Sequence, residues 1–145
     1  MKTRKIIAIA FIIIAIVLGV IFFTKINFPI GLDAYFNKEF YVQFGPLAIC
    51  IELLIAGFYL FVKHAKSNFT LALFGFTALL DSIFNTIGLF TSMVPTYAMV
   101  LFVICSLVAL WIAFSNTFKL GRISLKGVIV SFILGTAVEL FFNYL

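Results

Sequence analysis

Five apolar runs dominate this sequence, and each is about as long as a helix that crosses a lipid bilayer. They cover residues 6–24, 46–62, 69–90, 96–118 and 125–145. A helix rises about 1.5 Å per residue, so runs of roughly 17 to 22 residues approach or span the roughly 30 Å hydrocarbon layer. We therefore predict an all-α, polytopic membrane bundle of five transmembrane helices.

The composition agrees with a membrane protein. Hydrophobic residues make up 65% of the chain and charged residues 10%, with a mean hydropathy of +1.28. A soluble domain is roughly half apolar and a quarter charged. No polar stretch among the 145 residues is long enough for a separate soluble domain, so we interpret 1–145 as one integral membrane domain.

The first apolar run has basic residues before it, as a signal peptide does. Its apolar stretch is longer than the usual 7 to 15 residues, and it ends in Phe23 and Thr24 before Lys25, without a small-residue cleavage site. We expect this run to be a retained first span.

Basic residues are distributed unequally between the predicted loops. The amino terminus and the second and fourth loops, which five spans place on one side of the membrane, contain eight of the ten: Lys2, Arg4, Lys5, Lys63, Lys66, Lys119, Arg122 and Lys126. Lys25 and Lys38 are the other two, in the first loop. Because Lys and Arg accumulate in cytoplasmic loops, we predict a multi-pass protein of the cell membrane, with a cytoplasmic amino terminus and an external carboxyl terminus. The net charge of +5 is explained in this way, and we expect no nucleic-acid partner.

The first external loop contains a second helical pattern. Every fourth residue is apolar in the set Leu32, Phe36, Phe40 and Phe44. This spacing predicts a short helix lying in the headgroup layer. Gly45 and Pro46 would end it and begin the second span, while Asn68 and Ser124 are the predicted N-caps of the third and fifth spans.

Three of the five acidic residues lie inside the apolar runs: Glu52, Asp81 and Glu139. An ionised side chain at membrane depth costs a few kcal/mol on insertion scales, so such residues usually face a protein interior or a watery cavity. From the helical rise, all three lie about 9–13 Å from the outer ends of their spans. Their shared depth predicts one polar site in the outer half of the membrane.

Polar and small residues extend this predicted site. Asn85 and Asn143 each follow an acid by four residues, and Thr77 precedes Asp81 by the same interval, so they share helix faces. The resulting ligand- or proton-binding set is Glu52, Thr77, Asp81, Asn85, Glu139 and Asn143. Every fourth residue is small before Glu139, in Gly127, Ser131 and Gly135, which favours close helix packing.

The third and fifth spans also resemble each other locally. Thr77 to Asp81 with Asn85 is similar to Thr136 to Glu139 with Asn143. One interpretation is a parallel duplication of helical hairpins, as in some small transporters. The other is chance similarity between apolar helices.

The acids occur without basic residues at the same depth. They must be protonated and hydrogen-bonded, hydrated, or paired with a cation. The structural alternative is that they bond to Asn, Thr or carbonyl groups and simply hold helices together. We assign no metal ligand and no cofactor. The single histidine excludes a bis-His haem site and a multi-His copper or zinc site, and Cys50 and Cys105 stand singly in apolar runs. An all-carboxylate site for Ca²⁺, Na⁺ or another hard cation stays open.

These features leave three classes of function. The first is a protein that binds or transports a proton, a cation or a small cationic solute at the acids. The second is a non-catalytic subunit of a larger membrane complex, with the acids facing partner chains. The third is an intramembrane enzyme that uses a carboxylate on a lipid-like substrate. We assign no catalytic residue, and expect the bilayer, further copies of the chain or other membrane subunits as partners.

The predicted topology can be tested by cysteine labelling of intact cells, in a background with Cys50 and Cys105 changed to alanine. An impermeant thiol reagent added outside should modify Asn37→Cys and spare Lys66→Cys, because these positions lie in loops on opposite sides. The reverse labelling pattern would refute the topology.

Overall fold

The structure, a computed structural model, describes residues 2–26, 44–88, 94–115 and 122–144, and side chains from residue 3 to residue 141 of these ranges. This part of the chain is all-helical and has no strand. Its helices are α1 (Lys2–Thr24), α2 (Gly45–Val62), α3 (Ser67–Thr86), α4 (Thr96–Phe114) and α5 (Leu125–Tyr144). Helices α1 to α4 are long and apolar enough to cross a membrane. That α5 is a fifth span stays a prediction.

The ends of the helices differ from the prediction in several places. Helix α1 begins at Lys2 instead of Ile6, and α3 ends at Thr86, before a turn in which Gly88 has a φ of 82°. Glycine adopts this left-handed conformation without the steric cost of a side chain. The interfacial helix predicted from Leu32, Phe36, Phe40 and Phe44 lies outside the described residues, except for Phe44.

One of the two predicted N-caps is confirmed. The backbone N–H of Gly127 donates to Ser124 Oγ over 3.0 Å, at the start of α5. The prediction for Asn68 is wrong, because α3 begins at Ser67 and Lys66 occupies the N-cap position without a side-chain bond. The Ser67 hydroxyl instead lies 2.8 Å from the carbonyl oxygen of Tyr59, so it ties α3 to the end of α2.

Helix α3 occupies the centre of the bundle. It packs against α2, α4 and α5, while α1 packs on α2, and α2 also touches α5. The fully buried ring of Phe74 on α3 shows why α3 is central, since it lies 6.5 Å from the ring of Phe11 on α1 and 6.2 Å from that of Phe102 on α4. Aromatic pairs at such centroid distances add to the packing energy.

Helices α3 and α5 run parallel and in register. Phe76 contacts Phe132, and Thr77 lies against Gly135, so residue numbers increase in the same direction along both helices. The starts of α3 and α5 therefore lie at one end of the bundle. The described basic residues of the predicted cytoplasmic set share this end: Arg4, Lys5, Lys63, Lys66, Arg122 and Lys126.

The arrangement argues against duplicated hairpins. If the α2–α3 and α4–α5 hairpins were equivalent, α4 should pack on α5 as α2 packs on α3. In the described part of the chain, the extensive contacts of α4 are with α3 and not with α5. The local similarity of the third and fifth spans therefore does not extend to equivalent packing.

Arg4 has a structural role that the charge pattern did not indicate. Although basic, its side chain is only 6% exposed, and Nη1 donates to the carbonyl oxygens of Leu60 and Phe61 in the last turn of α2, the second over 2.7 Å. The last carbonyl groups of a helix lack partners within it and carry partial negative charge. The guanidinium therefore fastens the start of α1 to the end of α2.

Arg4→Met should lower the free energy of unfolding by about 2 kcal/mol or more, because charge-assisted hydrogen bonds to buried carbonyl groups are lost. Thermal unfolding of the purified protein in detergent measures this. Lys25→Met is the matched control, since that side chain is exposed near the other end of α1. Equal melting temperatures for the two variants would contradict the assigned role.

Candidate functional site

The three acids of the predicted site come from three helices and converge. Glu52 lies on α2, Asp81 on α3 and Glu139 on α5. The carboxyl groups of Asp81 and Glu139 are within hydrogen-bonding reach of each other, and Glu52 lies within electrostatic range of Glu139. Asp81 is 4% and Glu139 3% exposed, whereas Glu52 is partly exposed. The site is thus a buried carboxyl pair with a third acid beside it.

Thr77 connects Glu52 to α3. Its side chain is fully buried, and its hydroxyl oxygen lies 3.3 Å from Glu52 Oε1 and 2.8 Å from the carbonyl oxygen of Leu73. A hydroxyl has one hydrogen to donate but can also accept. The Thr77 hydroxyl is the donor toward both oxygens, so its one hydrogen is shared between Glu52 on α2 and Leu73 on α3.

The second oxygen of Glu52 has different surroundings. Oε2 is buried and has no hydrogen-bond partner among the described residues. A buried polar atom without a partner is rare in folded proteins, and such atoms are often found at functional positions or beside an unseen ion or water. Glu52 Oε2 is the buried carboxyl oxygen of the described cluster whose hydrogen-bonding capacity is unused.

The Asp81–Glu139 contact constrains the protons at the site. An ionised carboxylate only accepts hydrogen bonds, so two carboxyl groups can bond to each other only if at least one carries a proton. Two interacting carboxyl groups therefore titrate as a pair, and the proton belongs to both. The contact thus requires at least one proton on the Asp81–Glu139 pair.

Gly135 allows α5 to approach the site. A Cβ atom at this position would lie 3.0 Å from Thr77 Oγ1 and 3.1 Å from the Thr77 backbone nitrogen. Both distances are shorter than ordinary van der Waals contacts. Ser131 and Glu139, one turn to either side, are also buried on α5. Gly127, the first residue of the predicted row, is partly exposed and lies next to Ile123 and Ser124 instead of α3.

Asn85 and Asn143 are the two remaining residues of the predicted site. Asn85 lies one turn beyond Asp81 on α3 and is partly buried. Asn143 lies on α5, but its side chain is outside the described ones, so its pairing with Glu139 stays a prediction. The contact that sequence reasoning missed is the one between Thr77 and Glu52, because spacing along one helix says nothing about which neighbouring helix is opposite.

The acids of the cluster do not form a set of three metal ligands in the described part of the chain, and they lie outside its apolar grooves. Among the described residues, no group of three or more His, Cys, Asp or Glu side chains is placed to hold a metal ion. An apolar groove between α1 and α2 includes Gly19, Leu47 and Cys50, and another between α3 and α4 includes Ile83 and Val103. Neither groove is lined by Glu52, Asp81 or Glu139.

Comparison with known proteins adds no assignment. The chain matches no protein-family model, no curated protein and no solved structure. The chemistry of the carboxyl cluster is therefore the basis for a functional proposal.

Gly135→Ala tests the close packing around the cluster. The added methyl group should push α5 away from Thr77 and lower the free energy of unfolding by about 1–3 kcal/mol. Gly19→Ala is the matched control, since a Cβ there would meet its nearest atoms at 3.8 and 3.9 Å, and it should be neutral or stabilising. Thermal unfolding in detergent measures both. An equally stable Gly135→Ala protein would contradict the packing described here.

Proposed function

We propose that this chain is a small multi-pass membrane protein that binds a proton at the Glu52, Asp81 and Glu139 cluster and exchanges it for a small cation. In this proposal α5 is the fifth span, the amino terminus is cytoplasmic and the cluster lies in the outer half of the cell membrane. The gathering of the described basic residues at the other end of the helices supports this orientation.

The observation that carries the proposal is the direct contact between the buried carboxyl groups of Asp81 and Glu139. A purely structural role would be served by one neutral polar group and an amide or hydroxyl partner. Two adjoining acids instead share a proton, and the charge of one affects the proton affinity of the other. This suits a site that changes its charge as it binds and releases a ligand. The third acid, close enough for its charge to affect Glu139, gives the cluster a second titrating position.

Glu52 is the acid that we assign to exchange. It is the partly exposed member, and its Oε2 has no hydrogen-bond partner among the described residues. Loss of its proton would leave a negative charge at this oxygen, which a small cation could neutralise. Asp81 and Glu139, nearly fully buried, would keep their shared proton and so hold the charge of the empty site low.

Proton movement can be measured with the purified full chain in liposomes that contain a trapped pH-sensitive dye. A gradient of Na⁺ or of a small amine should drive a change of internal pH in wild-type liposomes. Glu52→Gln should reduce the rate to that of empty liposomes, because it keeps the approximate volume of the side chain and removes the exchanging group. Asp81→Asn and Glu139→Gln should lower the rate less, because each changes the charge of the neighbouring pair and leaves the Glu52 carboxyl group in place.

Asp33→Asn and Glu39→Gln provide matched controls, since they make the same change at the two acids outside the predicted spans. Their rates should equal that of the wild type. Wild-type rates no higher than those of empty liposomes, or full activity in the three cluster variants, would overturn the transport proposal and favour an accessory subunit of a membrane complex.

The assignment of Glu52 has a separate test. A hydrophobic carbodiimide reacts with protonated carboxyl groups at membrane depth, and mass spectrometry of the digested protein locates the adduct. Glu52 should be modified several times faster than Asp81 or Glu139, since their carboxyl groups are engaged with each other. Preferential modification of Asp81 or Glu139 would contradict the assigned exchange role.

A further inference from the structure

The bundle end that contains Arg4 presents a rigid group of basic side chains. Arg4 fixes the start of α1 to the last turn of α2 through the carbonyl oxygens of Leu60 and Phe61. The next residue, Lys5, then lies with its Nζ atom 5.6 Å from the centre of the Phe61 ring, a cation–π contact. Lys5 on α1 is thereby held beside the end of α2.

The turn between α2 and α3 is equally well fixed. Lys63 ends α2 in the left-handed conformation, with a φ of 57°, and the His64 N–H donates to the carbonyl oxygen of Tyr59 over 2.9 Å. The His64 ring stacks on the Tyr59 ring at 4.3 Å between centroids. These contacts give the turn a defined shape and keep His64 at the end of the bundle.

The two nitrogens of His64 have different roles. The backbone N–H of Lys66 donates to Nδ1 over 3.0 Å, so Nδ1 is an acceptor and the ring hydrogen is on Nε2. Nε2 has no partner among the described residues, and His64 is exposed. The turn therefore offers a neutral N–H donor beside the exposed ammonium groups of Lys63 and Lys66.

The positive charge of this group is not balanced by nearby acids in the sequence. The nearest acid along α2 is Glu52, ten residues before Val62 and thus about 15 Å away along the helix. Large apolar side chains lie next to the basic ones and are exposed, including Ile6 at 64%, Phe61 at 37% and Val62 at 49%. Charged donors bordering an exposed apolar surface match the two parts of an anionic phospholipid, its phosphate and its acyl chains.

We infer that Lys5, Lys63, His64 and Lys66 form a binding site for the phosphate of an anionic phospholipid, whose acyl chains lie along α1 and α2. The lysines supply charge, and His64 Nε2 supplies a directed hydrogen bond. This site is separate from the carboxyl cluster, and its test does not depend on the proposed transport function.

Native mass spectrometry of the full chain can measure this binding during titration with phosphatidylglycerol or phosphatidylcholine in detergent. Phosphatidylglycerol should bind at least tenfold more tightly. Each of Lys63→Gln and Lys66→Gln should weaken it about fivefold, since one lysine near a membrane surface contributes about 1 kcal/mol. Lys126→Gln is the control, because it removes a charge at the same end of the bundle but on α5.

The melting temperature of each variant, measured without lipid, checks that its fold is retained. Equal affinity for the two lipids, or equal weakening by Lys126→Gln, would overturn the site and indicate a general surface-charge effect. Displacement of the bound lipid by inorganic phosphate at equal concentration would also overturn it, because the proposal requires the acyl chains to contribute.

Discussion

Hydrocarbon cannot hydrogen-bond, and this constraint governs the polar side chains of the bundle. An unsatisfied polar group at membrane depth costs several kcal/mol, which favours polar side chains that meet partners inside the protein. The acids solve the problem by meeting on three helices, where Asp81 bonds with Glu139 and Glu52 reaches Thr77. This convergence explains why α3 is central and why Gly135 lies where α5 crosses it.

The same constraint acts at the basic end, with the opposite sign of charge. Arg4 is buried there and satisfies two carbonyl oxygens at the end of α2, while the neighbouring lysines remain exposed. At this end the buried guanidinium group of Arg4 holds α1 against α2, and the ammonium groups of the lysines are exposed to the surroundings. The two ends of α2 therefore differ chemically. Glu52 lies toward its start, and exposed basic side chains lie at its end.

The positions of the helices could be predicted from the sequence, but the contacts between them could not. Apolar length and the 1.5 Å rise were sufficient to predict five helices, four of which are long and apolar enough to cross a membrane, and to place Asp81 and Glu139 at the same level. They could not predict which side chains are buried, because both lipid and a protein core favour apolar residues. Phe74 and Phe58 illustrate this, since the first is fully buried and the second is 55% exposed. For the same reason, the Thr77–Glu52 contact and the role of Arg4 required the tertiary structure.

Infrared spectroscopy of the protein in lipid, with Asp and Glu labelled by ¹³C at the carboxyl carbon, tests whether the three acids share one buried site and hold protons together. At neutral pH the spectrum should contain C=O bands of protonated carboxyl groups, and Asp81→Asn should shift the band of Glu139. Absence of protonated carboxyl bands, or a Glu139 band unaffected by Asp81→Asn, would contradict the account.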